Sequence, residues 1–309
     1  MKAVVCTRYG PPEVLRVAEV DIPEPRRNEV RVRIFATTVT ASDCIVRRFD
    51  VPWRLRLPMA LALGVRKPRN PILGLVMAGE VESTGENVKR FKTGDQVFGF
   101  TEYRMGCYAQ YLCLAETAKM AAKPTNLTYE EAAAVPYGGL LALCFFRKAQ
   151  VQPGQRVLIY GASGSVGTAA VQLARYFGAD VTGVCSTANM EMVESIGAGT
   201  VIDYTKEDFT TRPERYDLVF NAVGKRKARL RCDGALTPGG KHITVDDGLA
   251  KLHIEDLVLL KELVESGTFK PVIDRTYGLE QMVEAHLYVD MGHKKGNVVI
   301  SVGNDRPDP

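Results

Sequence analysis

A glycine-rich turn in the middle of the chain constrains the fold more than any other feature. The segment Gly161-Ala162-Ser163-Gly164-Ser165-Val166-Gly167 follows an apolar strand pattern at 157–160 and leads into a helical pattern at 166–177. Small residues here suit a tight turn, a close approach of the backbone to a pyrophosphate, and close packing of helix on strand. Free N–H groups and partial positive charge at the helix start favour that anion.

The turn therefore predicts a dinucleotide site, with an ordinary turn as the alternative. Its expected binding residues are Ala162, Ser163, Gly164, Ser165, Val166 and Gly167. Of these, Ala162, Gly164 and Gly167 occupy the three positions where the fold needs small residues.

Strands and helices alternate after residue 126. Strand patterns occur at 156–160, 181–185, 201–203, 218–223 and 241–245, and helical patterns at 166–177, 190–196 and 254–265. Thr128 and Glu131 have the spacing of a capping box that opens a further helix. This alternation predicts a doubly wound parallel sheet in an α/β domain.

The first 120 residues show a different sequence pattern. Short alternating runs at 2–6, 14–20, 30–34, 79–83, 96–100 and 108–114 are separated by turn sequences rich in glycine and proline. Many short strands with such breaks indicate a compact β-barrel-like domain. The tail, with strand patterns at 271–273 and 297–302 around a helix at 279–293, fits either domain.

The end of the second strand bears on the choice of dinucleotide. A site for NAD usually carries an acidic residue about 20 residues after the turn, where it accepts from the ribose 2′-hydroxyl. Here the strand ends in Ser186-Thr187-Ala188, with no acid. The two hydroxyls leave room for a 2′-phosphate and can donate to it, which favours NADPH. Alternatively, Ser186 and Thr187 cap the helix that begins near Asn189.

Composition excludes several classes of protein. The formal charge of +4 over 309 residues gives no reason to expect nucleic acid. The longest apolar stretch, 57–65, is far shorter than the ~20 residues that cross a bilayer, so we expect no stable membrane insertion. The seven cysteines are scattered without a CxxC pair, and the chain starts in strand-like sequence without a secretory signal. These features predict reduced thiols in a cytoplasmic protein.

Several landmarks in a fixed order give the chain a family resemblance. They are Met1-Lys2-Ala3-Val4, Tyr9-Gly10-Pro11-Pro12, Ala78-Gly79-Glu80-Val81, Gly94-Asp95-Gln96-Val97, the glycine turn, Gly138-Gly139-Leu140 and Lys295-Gly296-Asn297-Val298. With them the chain resembles the medium-chain dehydrogenase/reductase superfamily, most closely its zinc-independent, quinone-oxidoreductase-like branch. The resemblance implies a GroES-like β-barrel domain, 1–120 completed by 271–309, around a Rossmann domain, 121–270.

The resemblance also implies an activity without zinc. Two positions that hold metal ligands in the zinc-dependent branch are occupied by Thr40 and by Leu75-Val76, and no cysteine fills the third. The implied activity is NADPH-dependent reduction of a quinone or of the activated C=C bond of an enone. A catalytically silent NADPH-binding protein and a zinc-type alcohol dehydrogenase with unusual ligands remain as alternatives.

Further site residues follow from the resemblance. Thr40, Asp43 and Arg47 would line the substrate pocket, and Thr40 and Asp43 are candidate catalytic residues. Tyr137 is a third catalytic candidate, as proton donor, with packing as its alternative role. Tyr204 would lie beside the adenosine phosphate, and Ala222, Val223 and Gly224 under the nicotinamide ribose. The chain is shorter between 240 and 254 than longer relatives, whose late strands often pair across a dimer, so a homodimer is left open.

Two basic runs stand outside this scheme. Arg47, Arg48, Arg54, Arg56, Arg66, Lys67 and Arg69 surround Trp53 and the apolar run 57–65, with Asp50 as the single acid. This segment could cap the active site, attracting anionic substrates or touching lipid, or it could be a solvated excursion. The second run, 225–231, is expected on the exposed side of a helix, near the cofactor phosphates or away from them.

Overall fold

The computed structural model describes residues 1–51, 53, 56–224, 232–248 and 250–303, and the chain divides into two compact units. Unit 1 comprises Met1–Pro136 and the described residues from Ile273 onward, and unit 2 comprises Tyr137–Val272. The basic run 225–231 lies outside the described residues. Each unit forms one of the two architectures expected from the sequence.

The elements of the described residues are as follows. The strands are β1 (Lys2–Cys6), β2 (Leu15–Glu19), β3 (Glu29–Val39), β4 (Val76–Thr84), β5 (Gln96–Phe100), β6 (Tyr111–Ala115), β7 (Lys119–Ala122), β8 (Arg156–Tyr160), β9 (Asp180–Cys185), β10 (Thr200–Asp203), β11 (Tyr216–Asn221), β12 (Leu236–Thr244), β13 (Ile273–Gly278) and β14 (Asn297–Ser301). The helices are α1 (Ala41–Arg48), α2 (Arg56–Leu63), α3 (Tyr129–Ala133), α4 (Pro136–Ala149), α5 (Ser165–Tyr176), α6 (Met190–Ser195), α7 (Ile254–Glu265) and α8 (Met282–Asp290).

Unit 1 is built on a largely antiparallel sheet. Its strands run in the order β13-β14-β3-β4-β5-β7, with β6 also pairing with β3, while β1 and β2 form a separate antiparallel pair. The alternation in the sequence of β3 correctly predicts its core-facing side, since Val30, Val32 and Ile34 are buried. The tail, which the sequence left open, belongs to this unit, since β14 pairs antiparallel with β3 and parallel with β13.

Helix α3 also lies in unit 1, although the sequence analysis assigned 121–136 to the other domain. Its capping box forms as expected, with the Thr128 side chain accepting from the Glu131 N–H group. The ring of Tyr129 stacks on Phe35 of β3 with a centroid distance of 4.4 Å, and the Ser301 hydroxyl donates to Glu130. These contacts hold the helix against the unit 1 sheet.

Unit 2 contains a parallel sheet in the order β10-β9-β8-β11-β12. The chain progresses outward from β8 in one direction as far as β10 and then in the other direction through β11 and β12. The order thus reverses between β8 and β11. In open α/β sheets a ligand binds at the carboxyl ends of the strands beside such a switch point. The glycine turn follows β8 directly.

The seven cysteines are free thiols, and all but the half-buried Cys144 are buried. Burial raises the pKa of Cys6, Cys113, Cys185 and Cys232 to about 11. It also raises the pKa of the more deeply enclosed Cys44 and Cys107 thiols. In the part of the chain that the structure describes, no helix combines the length and apolar character needed to span a bilayer.

Candidate active site

The glycine turn connects β8 to α5 at the switch point of the unit 2 sheet. Gly161 has a φ of +79°, which favours glycine, and its N–H group donates to the Val184 carbonyl of β9 at 3.0 Å. The Gly164 N–H group donates to the Gly161 carbonyl at 3.1 Å, which closes the turn. Helix α5 then starts at Ser165, and the first N–H groups of an α-helix have no acceptor within the helix. The turn therefore presents polar backbone at the sheet edge.

The glycines of this turn differ in what surrounds them. A Cβ atom on Gly167 would lie 2.0 Å from the Gly161 carbonyl oxygen, so this glycine allows the helix to pack closely on the turn. A Cβ on Gly164 would meet only that same oxygen, at 3.7 Å, and φ there is an unstrained −82°. Packing inside the protein thus explains Gly167 but does not explain Gly164. The open space at Gly164 fits a ligand that approaches the backbone.

The loop after β11 lies beside the turn. A Cβ on Gly161 would come within 2.4 Å of Val223 Cγ2. The Asn221 side-chain oxygen accepts from the N–H groups of Val223 and Gly224 at 3.0 and 3.1 Å, which fixes the loop. Ala222 and Val223 are half-buried and Gly224 is buried. The structure therefore brings the expected Ala222, Val223 and Gly224 next to the glycine turn.

Ser163 and Ser186 are linked through a residue that the sequence analysis did not single out as part of the site. The Asn189 side-chain amide donates to Ser163 Oγ at 3.3 Å and to Ser186 Oγ at 3.1 Å. Ser186 precedes a short 3₁₀ turn, 187–189, without a capping bond from its own side chain. The structure thus joins the loop after β9 to the glycine turn and gives Ser186 a role other than capping.

Thr187 contacts an acid that sequence reasoning missed. Its hydroxyl donates to Asp203 Oδ2, at the end of the neighbouring strand β10. Thr205 donates to Asp203 Oδ1 from both its N–H group and its hydroxyl, at 3.0 and 2.7 Å. Lys206 Nζ lies 3.4 Å from Asp203 Oδ2. The donation from Thr187, followed by the other contacts, holds the pKa of Asp203 well below its usual range.

This contact changes how Thr187 is interpreted. The sequence suggested that its hydroxyl proton is available to a phosphate, whereas in the structure that proton is donated to Asp203. The Lys206 side chain is 67% exposed, so its ammonium group is accessible to a ligand in solvent. Tyr204, which directly follows Asp203 in the chain, is exposed, and the centroid of its ring lies 6.3 Å from that of Tyr160.

In unit 1, Thr40 and Asp43 form the N-terminal cap of helix α1. Thr40 donates to Asp43 Oδ2 from its N–H group at 2.8 Å and from its hydroxyl at 2.6 Å, and the Asp43 N–H group donates back to Thr40 Oγ1. Both residues are 1% exposed. Burial raises the pKa of Asp43 to about 6, although the bonds from Thr40 and the contacts with Tyr108 and the Gly74 backbone oppose that rise.

Arg47 does not line a pocket in the manner expected. Its side chain is fully buried, and its guanidinium donates to the Asp290 carboxylate of α8 at 2.6 Å and to the Gly10 carbonyl at 3.3 Å. It also lies 3.1 Å from His286 Nδ1. The guanidinium therefore ties α1 to α8, and it has no free face for a substrate.

His286 continues this network towards Asp43. Burial, with the nearby Arg47 charge, lowers the pKa of His286 to about 3, so the ring is neutral near pH 7. Because Nδ1 faces the Arg47 donor, Nε2 carries the proton and donates to Tyr108 Oη at 3.2 Å. The Tyr108 hydroxyl is also fully buried; burial, followed by the nearby Asp43 charge, raises its pKa. A buried polar network thus links Arg47 to Tyr108 through His286.

Tyr137, the third catalytic candidate, belongs to unit 2. It is the second residue of α4 and is 8% exposed, which agrees with the packing role considered for it. Its part in catalysis remains a prediction.

The residues at the expected metal-ligand positions do not fit zinc. Thr40 uses its hydroxyl on Asp43, and Leu75 and Val76 are buried apolar side chains. Among the residues that the structure describes, no group of three or more His, Cys, Asp or Glu side chains is arranged to hold a metal ion.

Comparison with known proteins agrees with this architecture. Residues 26–144 match the alcohol dehydrogenase GroES-like domain, and residues 165–284 match the zinc-binding dehydrogenase family. The chain is 32% identical to 2-methylene-furan-3-one reductase of Solanum lycopersicum, over 97% of this chain and 79% of that protein. It is 28% identical to the chloroplastic NADPH-dependent alkenal/one oxidoreductase of Arabidopsis thaliana, with the same coverage of both chains.

A solved structure supports the same assignment. The quinone oxidoreductase of Coxiella burnetii superposes with a TM-score of 0.88 at 28% identity, covering 98% of this chain and 99% of the other. The chain therefore belongs to the medium-chain dehydrogenase/reductase superfamily, with a GroES-like and a Rossmann-like domain. Within that superfamily it belongs to the quinone-oxidoreductase-like branch, as its sequence landmarks had indicated.

Proposed function

We propose that this oxidoreductase uses NADPH to reduce quinones or the activated C=C bonds of enones and alkenals, without a metal ion. The observation that carries the proposal is the open space at Gly164, in a turn that follows β8 at the switch point. A glycine that the protein's own packing does not require is what close approach of a pyrophosphate to the backbone would need. The names of the related enzymes support the same class of acceptor.

The residues of unit 2 would bind and orient the coenzyme. The N–H groups of Ser165, Val166 and Gly167, at the start of α5, would face the pyrophosphate. Ser163 and Ser186, positioned by Asn189, would line the adenosine side, next to Tyr204. Ala222, Val223 and Gly224 would support the nicotinamide ribose. A reduced nicotinamide bound there would supply a hydride to the electrophilic carbon of the acceptor.

The preference for NADPH over NADH rests on the cluster around Asp203. The carboxylate oxygens of Asp203 already accept from Thr187 and Thr205 and form an ion pair with Lys206, so this acid is occupied and poorly placed to accept from a ribose 2′-hydroxyl. Lys206, whose side chain is largely exposed, supplies a cation at the same place. A 2′-phosphate would compete with Asp203 for the Lys206 ammonium, and charge-assisted hydrogen bonds to phosphate are strong.

On the acceptor side, Thr40 and Asp43 stay the catalytic candidates; both are 1% exposed, so they would have to become accessible to reach the substrate oxygen. Hydride addition places negative charge on the oxygen of an enone, and a hydroxyl donor stabilises that charge. While Asp43 is ionised, the Thr40 hydroxyl donates to it. When Asp43 is protonated, the Thr40 hydroxyl can turn to another acceptor. Because burial raises the pKa of Asp43 to about 6, this change would take place mainly below about pH 6.

Steady-state oxidation of NADPH with a panel of quinones and 2-alkenals tests the proposal, with calorimetric titration of NADPH and NADH alongside it. The proposal expects binding of NADPH tighter than that of NADH, and turnover with at least one acceptor class. Binding without turnover on any acceptor would support the catalytically silent alternative. Absence of binding by either coenzyme would overturn the site itself, and stoichiometric zinc in the purified protein would overturn the metal-free chemistry.

A cytoplasmic location and a homodimer stay predictions. One of the related enzymes is chloroplastic by name, so the family does not fix the compartment. Fractionation and measurement of the mass in solution would decide these two points.

A further inference from the structure

Helix α2 of unit 1 exposes a row of large apolar side chains. Leu57 and Leu61 are one turn apart on the helix and are 73% and 59% exposed. Trp53 and Val65 flank the helix at the same spacing of four residues and are 79% and 72% exposed. We call these four residues the apolar row. A helix on the surface of a globular protein normally turns its apolar residues to the core. This one turns them to solvent.

The helix is nevertheless fixed to unit 1 at its C-terminal end. Leu63 is its buried residue, and the Tyr9 hydroxyl donates to the carbonyl of the following Gly64 at 2.9 Å. The Arg69 N–H group folds back to the Leu63 carbonyl at 2.6 Å. Because Leu63 and Gly64 secure the segment, the exposure of the apolar row is a property of the anchored helix. Contiguous exposed apolar side chains mark interaction sites.

The charge around the apolar row has a single sign. Residues 53–70 contain five basic residues and no acidic one. Of these, Arg56, Arg66, Lys67 and Arg69 are described and exposed. Exposed tryptophan and leucine with Lys and Arg nearby in the sequence are typical of segments that lie in the interface of a membrane. Anionic headgroups attract such basic clusters, and the acyl boundary accepts the apolar residues.

We propose that the apolar row and its basic neighbours dock this protein peripherally on anionic phospholipid bilayers. Helix α2 would lie parallel to the membrane plane, with Trp53, Leu57 and Leu61 inserted at the headgroup level. The eight residues of α2 are far too few to span a bilayer, so the contact is a surface contact. Docking in this way does not depend on bound coenzyme or on turnover.

The test is co-sedimentation of the purified protein with large vesicles. One set contains phosphatidylcholine with about 30 mol % phosphatidylserine, and the other contains phosphatidylcholine alone. We expect binding to the anionic vesicles to be at least about tenfold stronger and to weaken as salt increases, because screening reduces the attraction to headgroups.

Two pairs of variants separate the apolar and the basic contributions. Leu57→Ser/Leu61→Ser should reduce the partition coefficient about tenfold or more, whereas Leu287→Ser, an exposed leucine on α8 of the same unit, should leave it unchanged. Arg66→Gln/Lys67→Gln should reduce binding to the anionic vesicles alone. Arg8→Gln/Arg16→Gln, which removes the same charge from another exposed part of unit 1, should have little effect.

Three results would overturn the proposal. The first is equal binding of wild type and Leu57→Ser/Leu61→Ser. The second is a wild-type dimer that this variant converts to a monomer, which would assign the apolar row to a second copy of the chain. The third is a Leu57→Ser/Leu61→Ser variant whose KM for a water-soluble quinone differs from that of the wild type while its vesicle binding does not. That result would make α2 a cap over the substrate site. Failure of NADPH turnover leaves the vesicle result intact, so the two proposals fail separately.

Discussion

Arg47, which solvent does not reach, donates from Nη2 to Asp290 Oδ2 across a distance of 2.6 Å. The two residues are 243 positions apart in the chain. Their bond joins the first helix after β3 to the last helix before β14, so it links an early and a late part of the chain within unit 1. The Asp290 side chain is itself 19% exposed and also pairs with Arg48 at 3.2 Å.

Asp290→Asn should therefore destabilise the protein strongly. Removing one partner leaves the buried Arg47 charge without its counter-ion, which costs about 3 kcal/mol of unfolding free energy or more. Urea unfolding followed by circular dichroism measures this value. Glu280→Gln is the matched control, because it removes the acid of the exposed Lys2–Glu280 pair, and it should cost less than about 1 kcal/mol. Similar losses in both variants would contradict the assigned role of Arg47.

Asp43 should make stability depend on pH in an unusual direction. Its pKa is about 6 in the folded protein, against 3.8 for an unperturbed aspartate, so the folded state holds the proton more tightly than the unfolded state. The contribution of Asp43 is fully present below the unfolded pKa and is lost as pH rises through about 6.

The difference between wild type and Asp43→Asn isolates this effect. Between about pH 4 and about pH 7, the unfolding free energy of the wild type should fall relative to the variant by an amount on the order of 3 kcal/mol. Urea titrations across that range measure it, and Asp21→Asn serves as the exposed control. A difference that does not change with pH would show that Asp43 does not titrate in this window.

Gly164→Asp should abolish coenzyme binding without unfolding the protein. The new Cβ has space, and the backbone there is unstrained, so the side chain fits the apo protein. Its carboxylate would repel a pyrophosphate at the same place, and calorimetry should show affinity for NADPH reduced by at least about 100-fold. Gly234→Asp, at another open glycine of unit 2, should bind as the wild type does. Unchanged affinity in Gly164→Asp would remove the proposed site.

Gly167→Ala, unlike Gly164→Asp, should lower the stability of the fold. Its Cβ would collide with the Gly161 carbonyl and with Ala162 Cα, so the turn and α5 must separate. We expect a loss of about 1 to 3 kcal/mol in unfolding free energy, typical of overpacking, whether or not coenzyme is present. Thermal unfolding of Gly167→Ala and Gly164→Asp side by side checks the distinction. A wild-type melting temperature in Gly167→Ala would contradict the packing argument.

Lys206→Gln should discriminate between the two coenzymes. Loss of the cation should raise the Kd for NADPH about tenfold and leave the Kd for NADH unchanged, because only NADPH carries the 2′-phosphate. Fluorescence titration with each coenzyme measures both values. Lys206→Arg should retain most of the preference, and Lys251→Gln is a control at an exposed lysine of the same unit. Equal weakening of NADPH and NADH would show that Lys206 acts on the loop and not on the phosphate.

The sequence predicted the features that local patterns determine. The glycine turn, the Thr128–Glu131 capping box and the helix Ile254–Glu265 follow from neighbouring residues, and the structure has them where they were expected. The alternation in β3 likewise sets the faces of that strand without any knowledge of its partners.

The features that the sequence did not reveal depend on contacts between distant residues. Asp203 meets Thr187 because β9 and β10 pair in parallel with Cys185 opposite Asp203, and that register is not visible in either strand alone. In the sequence, Arg47 is one of several basic residues in a run. Its burial depends on contacts with His286 and Asp290, near the other end of the chain. The placement of the tail depends on the pairing of β14 with β3.

The burial of the thiols has a consequence for the proposed chemistry. Quinones and enones are electrophiles that alkylate cysteine, and the attacking species is the thiolate. Six of the seven cysteines are enclosed, and enclosure raises their pKa, so these sulfur atoms stay protonated and out of reach at neutral pH. If the proposed acceptors are its substrates, covalent modification at these six buried positions should be slow, and the half-buried Cys144 is where alkylation should be detected first.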